Sequence, residues 1–338
     1  MDITYDIYDI DDHQRQAIAD SQDPTLRPYE NFEEFLRTCR GSAGVSVALR
    51  ARIDAFRQGQ GAGALLIRGF PIPAVLQPTP VIPFAETRRD AVGTEYLVGT
   101  ISSLLGEPFS YQQWDAGLLI HNKYPIWAHR DIQFGSNAVD FFMHTETPFR
   151  PVSPDFLALL CLRGDPTGAA KTRVSSLESA VAALTDQVRS LLRESAFAFL
   201  TDQPVLEFAD RGMTAPHPVI SGLNGSERLQ YVEDLVGITE SAQDALDLLR
   251  QEVQRRAADI ALEAGQMLLL DNRRVVHGRN AFSPRYDGGD RWLQRMLIST
   301  TLFRDGVPAA GRLIPDSRFE NYPTDYQLAL RPAGAAQR

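Results

Sequence analysis

His144 and Glu146 have the residue types and the spacing of a metal site. The pattern over residues 139–147 predicts a β-strand that carries both of them. In a strand, residues two positions apart point to the same face, so this imidazole and this carboxylate would converge. Such a pair supplies two of the three ligands of a facial metal site.

A second His-x-acid triplet, His129-Arg130-Asp131, falls in a segment that we predict to be a loop. The triplet also resembles the kinase catalytic loop, which has an asparagine where this chain has Ser136. A glycine-rich run at 59–63 follows a predicted helix and precedes a predicted strand, the reverse of the order in a dinucleotide-binding fold. Kinase and dinucleotide chemistry are therefore disfavoured.

His277 is the candidate third ligand, since a buried strand at 266–270 and a polar turn lead to it. Two histidines and one carboxylate leave open positions, which suits non-haem Fe(II) and oxygen chemistry. A satisfied structural histidine is the alternative interpretation. Farther along, Arg291 and Arg295 share one face of an extended strand, where their guanidinium groups would suit carboxylates. Two solvated or ion-paired arginines are the alternative there.

The composition is that of an ordinary globular protein, with 338 residues, of which 43% are hydrophobic and 23% charged. Its 34 basic and 43 acidic residues give a net charge of −9, which disfavours nucleic acid and anionic membranes as partners. No apolar run approaches the roughly 20 residues of a membrane span. Two cysteines, Cys39 and Cys161, exclude a disulfide framework and a cysteine-based zinc site. Without a signal-peptide pattern, the chain is predicted to be cytoplasmic.

The elements that would position these residues change in character along the chain. The part up to about residue 110 reads mainly as helix, and short strands dominate from residue 117. Helices are predicted at 31–40, 47–58, 87–105, 177–194 and 241–264, and strands at 64–68, 117–121, 139–147, 156–163, 172–176, 266–270, 275–276 and 293–303. This order favours an α+β chain built on a β-sandwich or jelly roll, without a division into separate domains.

Several motifs together resemble the clavaminate synthase-like Fe(II)/2-oxoglutarate-dependent oxygenases. Within that family they are most similar to hydroxylases of free amino acids of the arginine and asparagine type. The resemblance covers about residues 117–303. The motifs that carry it are His144-Thr-Glu146, the run 155–166, Thr172, the run 271–279 and the run 286–292.

The resemblance implies a double-stranded β-helix (jelly-roll or cupin-like) core with flanking helices, in a single domain over 1–338, and a lid at about 205–236. It implies that iron is bound by His144, Glu146 and His277, and 2-oxoglutarate by Arg291 and Thr172. The residues that it matches to substrate contacts are Arg295, Glu233, Asp234, Gln113 and Ser136. Val232 is apolar where an arginine hydroxylase would offer a second acid.

The activity implied by the resemblance uses Fe(II), 2-oxoglutarate and O2, and releases succinate and CO2. The substrate would be a free L-amino acid with a polar or basic side chain, such as arginine, lysine, citrulline or asparagine, hydroxylated at C3. Specialised peptide-antibiotic metabolism is the expected setting. A desaturase and a hydroxylase of a carrier-tethered amino acid are alternatives within the family. A zinc-dependent hydrolase and a non-catalytic jelly-roll binding protein are alternatives of other classes. No oligomeric state is predicted.

Overall fold

The computed structural model of the chain describes residues 4–23, 25–87, 91–112, 114–130, 138–148, 152–199, 216–222, 227–233, 235–302 and 311–314. In these ranges the helices are α1 (Asp12–Asp20), α2 (Phe32–Arg40), α3 (Val47–Arg57), α4 (Glu95–Leu105), α5 (Leu177–Ala182), α6 (Asp186–Leu192) and α7 (Glu240–Arg255). The strands are β1 (Asp6–Asp9), β2 (Ala64–Arg68), β3 (Glu107–Tyr111), β4 (His121–Lys123), β5 (Phe141–His144), β6 (Phe156–Arg163), β7 (Thr172–Ser176), β8 (Phe197–Phe199), β9 (Ile220–Ser221), β10 (Arg228–Leu229), β11 (Leu235–Gly237), β12 (Ala258–Ile260), β13 (Gln266–Asp271), β14 (Val275–Arg279), β15 (Trp292–Ser299) and β16 (Leu313–Ile314).

Two sheets face each other across an apolar interior. Within the described ranges the larger sheet has eight strands in the order β1-β2-β13-β6-β15-β3-β16, with β4 also paired to β15. The smaller sheet has the order β12-β7-β14-β5 and is antiparallel throughout. Leu159 and Leu268 of the larger sheet pack in one cluster with Val174 and Val275 of the smaller one. This arrangement confirms the predicted α+β class, and neither sheet closes on itself in the described part of the chain.

Helices cover the outer face of each sheet. Phe35, Leu49 and Ile101 from α2, α3 and α4 pack in one cluster with Trp292 and Met296 of the larger sheet. The smaller sheet is covered in the same way by α5, α6 and α7. Because both faces of β6 and β13 are buried, these strands are nearly continuous apolar runs rather than alternating ones. No helix of the described residues is long and apolar enough to span a bilayer.

Strand β15 has one face toward the helices and one toward the interior between the sheets. Gln294 lies on the helix side, where its side-chain amide donates to Glu95 Oε1 at 3.0 Å and accepts from Thr94 Oγ1 at 2.8 Å. Successive side chains of a strand point to opposite faces, so Leu293 and Arg295 point into the interior. The buried hydrogen bonds of Gln294 therefore fix the rotation of the strand that aims Arg295 inward.

Several elements differ from the sequence predictions for identifiable reasons. The helix predicted at 177–194 is divided into α5 and α6, because the Thr185 side chain accepts from Val188 N–H and begins a new helix. The helix predicted at 241–264 ends at Arg255, and the unpredicted strand β12 follows it to pair with β7. Helix α4 begins at Glu95 rather than at residue 87. Strands β1, β2 and β3 bring the part predicted as mainly helical into the larger sheet.

Candidate metal centre and active site

His144, Glu146 and His277 come together on one face of the smaller sheet, where β14 and β5 are paired and the chain continues past β5. One ligand atom from each residue lies within 4.8 Å of the others. Glu146 Oε2 is 3.7 Å from His144 Nε2 and 3.5 Å from His277 Nε2. All three residues are buried. The structure therefore assembles the three residues that the sequence singled out, and no other group of this kind occurs in the described ranges.

Strand pairing aligns the two histidines. His144 and His277 are directly opposite each other on the antiparallel strands β5 and β14, so their side chains lie on the same face. The His144 Nδ1 atom lies 2.7 Å from Phe142 O, and only a protonated Nδ1 can bond to that carbonyl. In the neutral imidazole with this tautomer, the Nε2 atom of His144 has no proton and is free to act as a ligand.

Glu146 is positioned by hydrogen bonds from another segment and not by the strand shared with His144 that the sequence predicted. Strand β5 ends at His144, so the two residues do not share a strand. The buried side chain of Asn272 instead accepts from Glu146 N at 2.6 Å and donates to Glu146 O at 3.0 Å. It also donates to Pro154 O at 2.9 Å. The turn between β13 and β14 thus fixes the backbone that carries the carboxylate.

We expect Asn272→Ala to lower the free energy of unfolding by roughly 2–4 kcal/mol, because it leaves buried backbone groups of Glu146 and Pro154 unpaired. Urea unfolding of the protein without ligands measures this loss. Asn280→Ala is the comparison, since Asn280 also bonds backbone groups but is partly exposed, so that water can replace those bonds. Equal losses for the two variants would contradict this role of Asn272.

The electrostatics of the cluster favour a bound cation. Burial alone would raise the pKa of the Glu146 carboxyl, but Arg295 and the two imidazoles outweigh it and hold that pKa well below its usual range. Burial and the neighbouring His144 lower the pKa of His277 to about 4. At neutral pH the carboxylate is therefore ionised and His277 is neutral, the forms that bind metals.

The residues present fit Fe(II). Glu146 Oε2 is buried and has no hydrogen-bond partner among the described residues, although a buried carboxylate oxygen normally has one. It faces the Nε2 atoms of both histidines. A metal ion bonded to all three atoms would satisfy this oxygen. Two imidazoles and one carboxylate are the ligand set of non-haem Fe(II) oxygenases.

Arg291 is a buried cation that contacts Thr172 on β7, two residues from Val174, the partner of His277 in the sheet. It is only 3% exposed, and burial lowers its pKa. Its Nη2 atom donates to Thr172 Oγ1 at 2.7 Å, while Nε has no partner in the described part of the chain. No carboxylate of the described residues forms an ion pair with it. An unpaired guanidinium of this kind is suited to the carboxylate of a small molecule.

Arg295 is the second inward-facing arginine. Its Nη1 atom donates to Glu146 Oε1 at 2.9 Å, and its guanidinium carbon lies 5.8 Å from the centre of the Trp114 ring. The pair with Glu146 uses one carboxylate oxygen and leaves Oε2 to the histidines. Arg295 therefore touches the metal cluster directly, which the sequence did not predict.

The remaining predicted contacts are placed less favourably or fall outside the described residues. Glu233 Oε2 accepts from Met143 N and Oε1 from Gln254 Nε2, both at 3.0 Å, so both oxygens are used within the protein. Its contact with a substrate stays a prediction. Gln113, Ser136, Asp234 and much of the predicted lid at 205–236 lie outside the described residues.

Two functional residues were missed at the level of the sequence. Asn272 lies inside the recognised run 271–279 but received no role, and a buried Asn between a strand and a turn is the signal that could have found it. His121 received no role either, although it ends an apolar segment that points to a buried site. It is completely buried and bonded to Arg295.

Known proteins share both the sequence pattern and the fold. The pattern of the taurine catabolism dioxygenase TauD, TfdA family matches residues 43–297. The chain is 33% identical over 273 residues to the L-asparagine oxygenase of Streptomyces coelicolor. This alignment covers 79% of this chain and 80% of the relative. The chain is 34% identical over 259 residues to the L-lysine 3-hydroxylase of Catenulispora acidiphila, in an alignment that covers 73% of this chain and 70% of the relative. The family match includes the whole metal cluster and both arginines.

A solved structure of asparagine oxygenase with Fe(II), 2S,3S-3-hydroxyasparagine and succinate has the same architecture. It superimposes with a TM-score of 0.81 at 28% identity, covering 92% of this chain and 99% of that one. Mixed helices and sheets around a jelly-roll core are thereby confirmed. The resemblance drawn from the motifs is confirmed as well.

Proposed function

The chain belongs to the TauD/TfdA family of dioxygenases, and we propose that it hydroxylates a free L-amino acid at C3. The reaction uses Fe(II), 2-oxoglutarate and O2 and releases succinate and CO2. The observation that carries the proposal is the convergence of His144, Glu146 and His277 beside a buried arginine that lacks a carboxylate partner. A metal site alone is compatible with hydrolysis, whereas the metal site with this arginine fits a carboxylate co-substrate.

The proposal gives each residue a role that its position supports. His144, Glu146 and His277 hold the iron, which when bound supplies the activation of O2 coupled to decarboxylation of 2-oxoglutarate. Arg291 binds the distal carboxylate of 2-oxoglutarate, and Thr172 fixes the plane of its guanidinium. Arg295 binds the α-carboxylate of the amino acid.

The substrate class follows from the relatives and from the charges. Asparagine and lysine, the amino acids for which the two relatives are named, have polar or basic side chains. We place the substrate in that class, with specialised peptide-antibiotic metabolism as its setting. The proposal extends to a single domain over 1–338 that works in the cytoplasm, without a nucleic-acid or membrane partner. The net charge of −9 supports the last point.

Succinate release tests the proposal. The purified protein is incubated with Fe(II), 2-oxoglutarate and O2 across a panel of free L-amino acids, and each amino acid is analysed by mass. We expect one polar or basic amino acid to stimulate succinate release strongly and to gain one oxygen, at C3 by NMR. The gain reflects the coupling of decarboxylation to attack on a bound C–H bond.

The other outcomes separate the alternatives. Loss of two hydrogens identifies a desaturase, and stimulation only by carrier-bound amino acids identifies a tethered substrate. A zinc-dependent hydrolase would work without 2-oxoglutarate and would give Arg291 and Thr172 no role. A non-catalytic binding protein would tolerate His144→Ala and would not depend on iron.

A further inference from the structure

Arg295 is held on two of its sides. Nη1 donates to Glu146 Oε1 at 2.9 Å, and Nη2 donates to His121 Nδ1 at 3.0 Å. Its Nε atom is buried and has no partner among the described residues. A guanidinium with two fixed sides has a fixed plane, so the Nε–H points in a defined direction. That side is the one left for an incoming carboxylate.

The sheet register brings His121 to this place. Arg295 on β15 and His121 on β4 are directly opposite each other in an antiparallel pair, so both side chains point to the same face. The other ring nitrogen of His121, Nε2, is 2.8 Å from Ser110 Oγ. His121 and Ser110 are fully buried, and Arg295 is partly buried. The contact between His121 and Arg295 is therefore built into the sheet.

The chemistry of arginine decides which nitrogen of His121 carries the proton. A guanidinium only donates, so Nδ1 must accept from Arg295, and Nε2 must carry the hydrogen that it donates to Ser110 Oγ. Burial lowers the pKa of His121 to about 3, with Arg295 and Lys123 adding to the effect against Asp115. Lys123 is itself paired with Asp115 at 2.7 Å. His121 is thus neutral at physiological pH and has one tautomer.

The same bonds exclude a nucleophilic role. Ser110, His121 and Asp115 have the residue types of a hydrolytic triad, and Asp115 Oδ2 lies 3.6 Å from His121 Nδ1. In such a triad the nitrogen near serine is unprotonated and takes the serine proton. Here that nitrogen carries a hydrogen and Nδ1 is occupied by Arg295. His121 cannot act as a base toward Ser110.

We propose that His121 is a positioning residue, whose neutral Nδ1 holds Arg295 so that its free Nε–H binds the α-carboxylate of the amino-acid substrate. The proposal rests on the function proposed for Arg295 above. Without an acceptor at this position, Nη2 has no partner on that side. The guanidinium would then be free to rotate toward the nearby carboxylates of Glu146 and Asp115, and the Nε–H would lose its direction.

Two variants of similar size test whether His121 orients Arg295 or only fills space. The side-chain oxygen of His121→Asn lies near the place of Nδ1 and can accept from Arg295. The oxygen of His121→Gln lies near the place of Nε2 and can reach only Ser110. We expect His121→Gln to raise KM for the amino acid by roughly 10-fold, as for one lost charge-assisted hydrogen bond, with a much smaller change in KM for 2-oxoglutarate. His121→Asn should restore most of this loss.

Two further measurements do not depend on turnover. Calorimetry with the iron-loaded protein and 2-oxoglutarate, without O2, gives the Kd of the amino acid, which should follow KM. Crystal structures of both variants show whether Arg295 moves. We expect it to keep its plane in His121→Asn and to rotate out of that plane in His121→Gln.

The outcomes are distinct. An Arg295 that stays in place in His121→Gln, or equal substrate affinities of the two variants, overturns the positioning role. If no amino acid stimulates the wild-type protein, the proposed function fails, and the crystal structures still decide whether His121 orients Arg295. Equal loss of thermal stability in both variants, with no difference in Arg295, would leave His121 a structural residue only.

Discussion

Succinate release is expected to disappear when Glu146 is replaced by glutamine, and Fe(II) affinity should fall at least about 100-fold. Oε2 of this residue faces both histidines, so it is the atom that completes the cluster. Glutamine supplies no anion, and changing even outer partners of a metal ligand costs about 10–100-fold in affinity. Calorimetric titration with Fe(II) in the absence of O2 measures the loss directly.

The same substitution removes the negative charge that pairs with Arg295, and we expect the uncompensated guanidinium to destabilise the fold by about 3–5 kcal/mol. His277→Ala is the complementary variant, because it removes a ligand and leaves the pair of Glu146 and Arg295 intact. Glu178→Gln is the matched control, since it changes a carboxylate that is 54% exposed and pairs with Arg274 on the surface. Normal turnover by folded His277→Ala would refute the assigned ligand set.

The candidate metal ligands could be found from the sequence because their signal is local and chemical. His144 and Glu146 are two residues apart, and His277 lies in a run with a recognisable order of strand, turn and histidine. The combination of these runs with Arg291 then identified the family. Such a site can be recognised from its residue types, since only a few side chains bind Fe(II) or pair with a buried carboxylate.

The hydrogen bonds that surround the candidate ligands could not be predicted from local sequence patterns. The bonds of Glu146 to Asn272 and to Arg295 join residues 126 and 149 positions apart. They depend on how the two sheets come together, which no local pattern encodes. His121 shows the same limit, because the role proposed for it depends on its place opposite Arg295 in the sheet. The prediction that His144 and Glu146 share a strand was wrong for this reason. Strand β5 ends at His144, and the side-chain amide of Asn272, between β13 and β14, positions Glu146 instead.

Arg291→Gln should raise KM for 2-oxoglutarate about 100-fold and leave KM for the amino acid much less changed. The guanidinium is the buried cation beside Thr172, and an arginine–carboxylate pair combines charge with two parallel hydrogen bonds. Glutamine retains a donor for Thr172 but no charge. Thr172→Val is the graded comparison, because it removes only the hydroxyl that orients the arginine, and we expect a loss of about 10-fold. Initial rates over a range of 2-oxoglutarate concentrations measure both.

Arg291→Gln should weaken 2-oxoglutarate binding without lowering the thermal stability of the ligand-free protein. A buried guanidinium without an anionic partner costs free energy in the folded protein, and glutamine removes that cost. In the absence of iron and 2-oxoglutarate, Arg291→Gln should therefore unfold at the same temperature as the wild type or higher. A charge kept at a cost to the fold is typical of a binding site. A clear loss of thermal stability would instead assign Arg291 to the structure of the sheet, and the 2-oxoglutarate contact would have to be sought elsewhere.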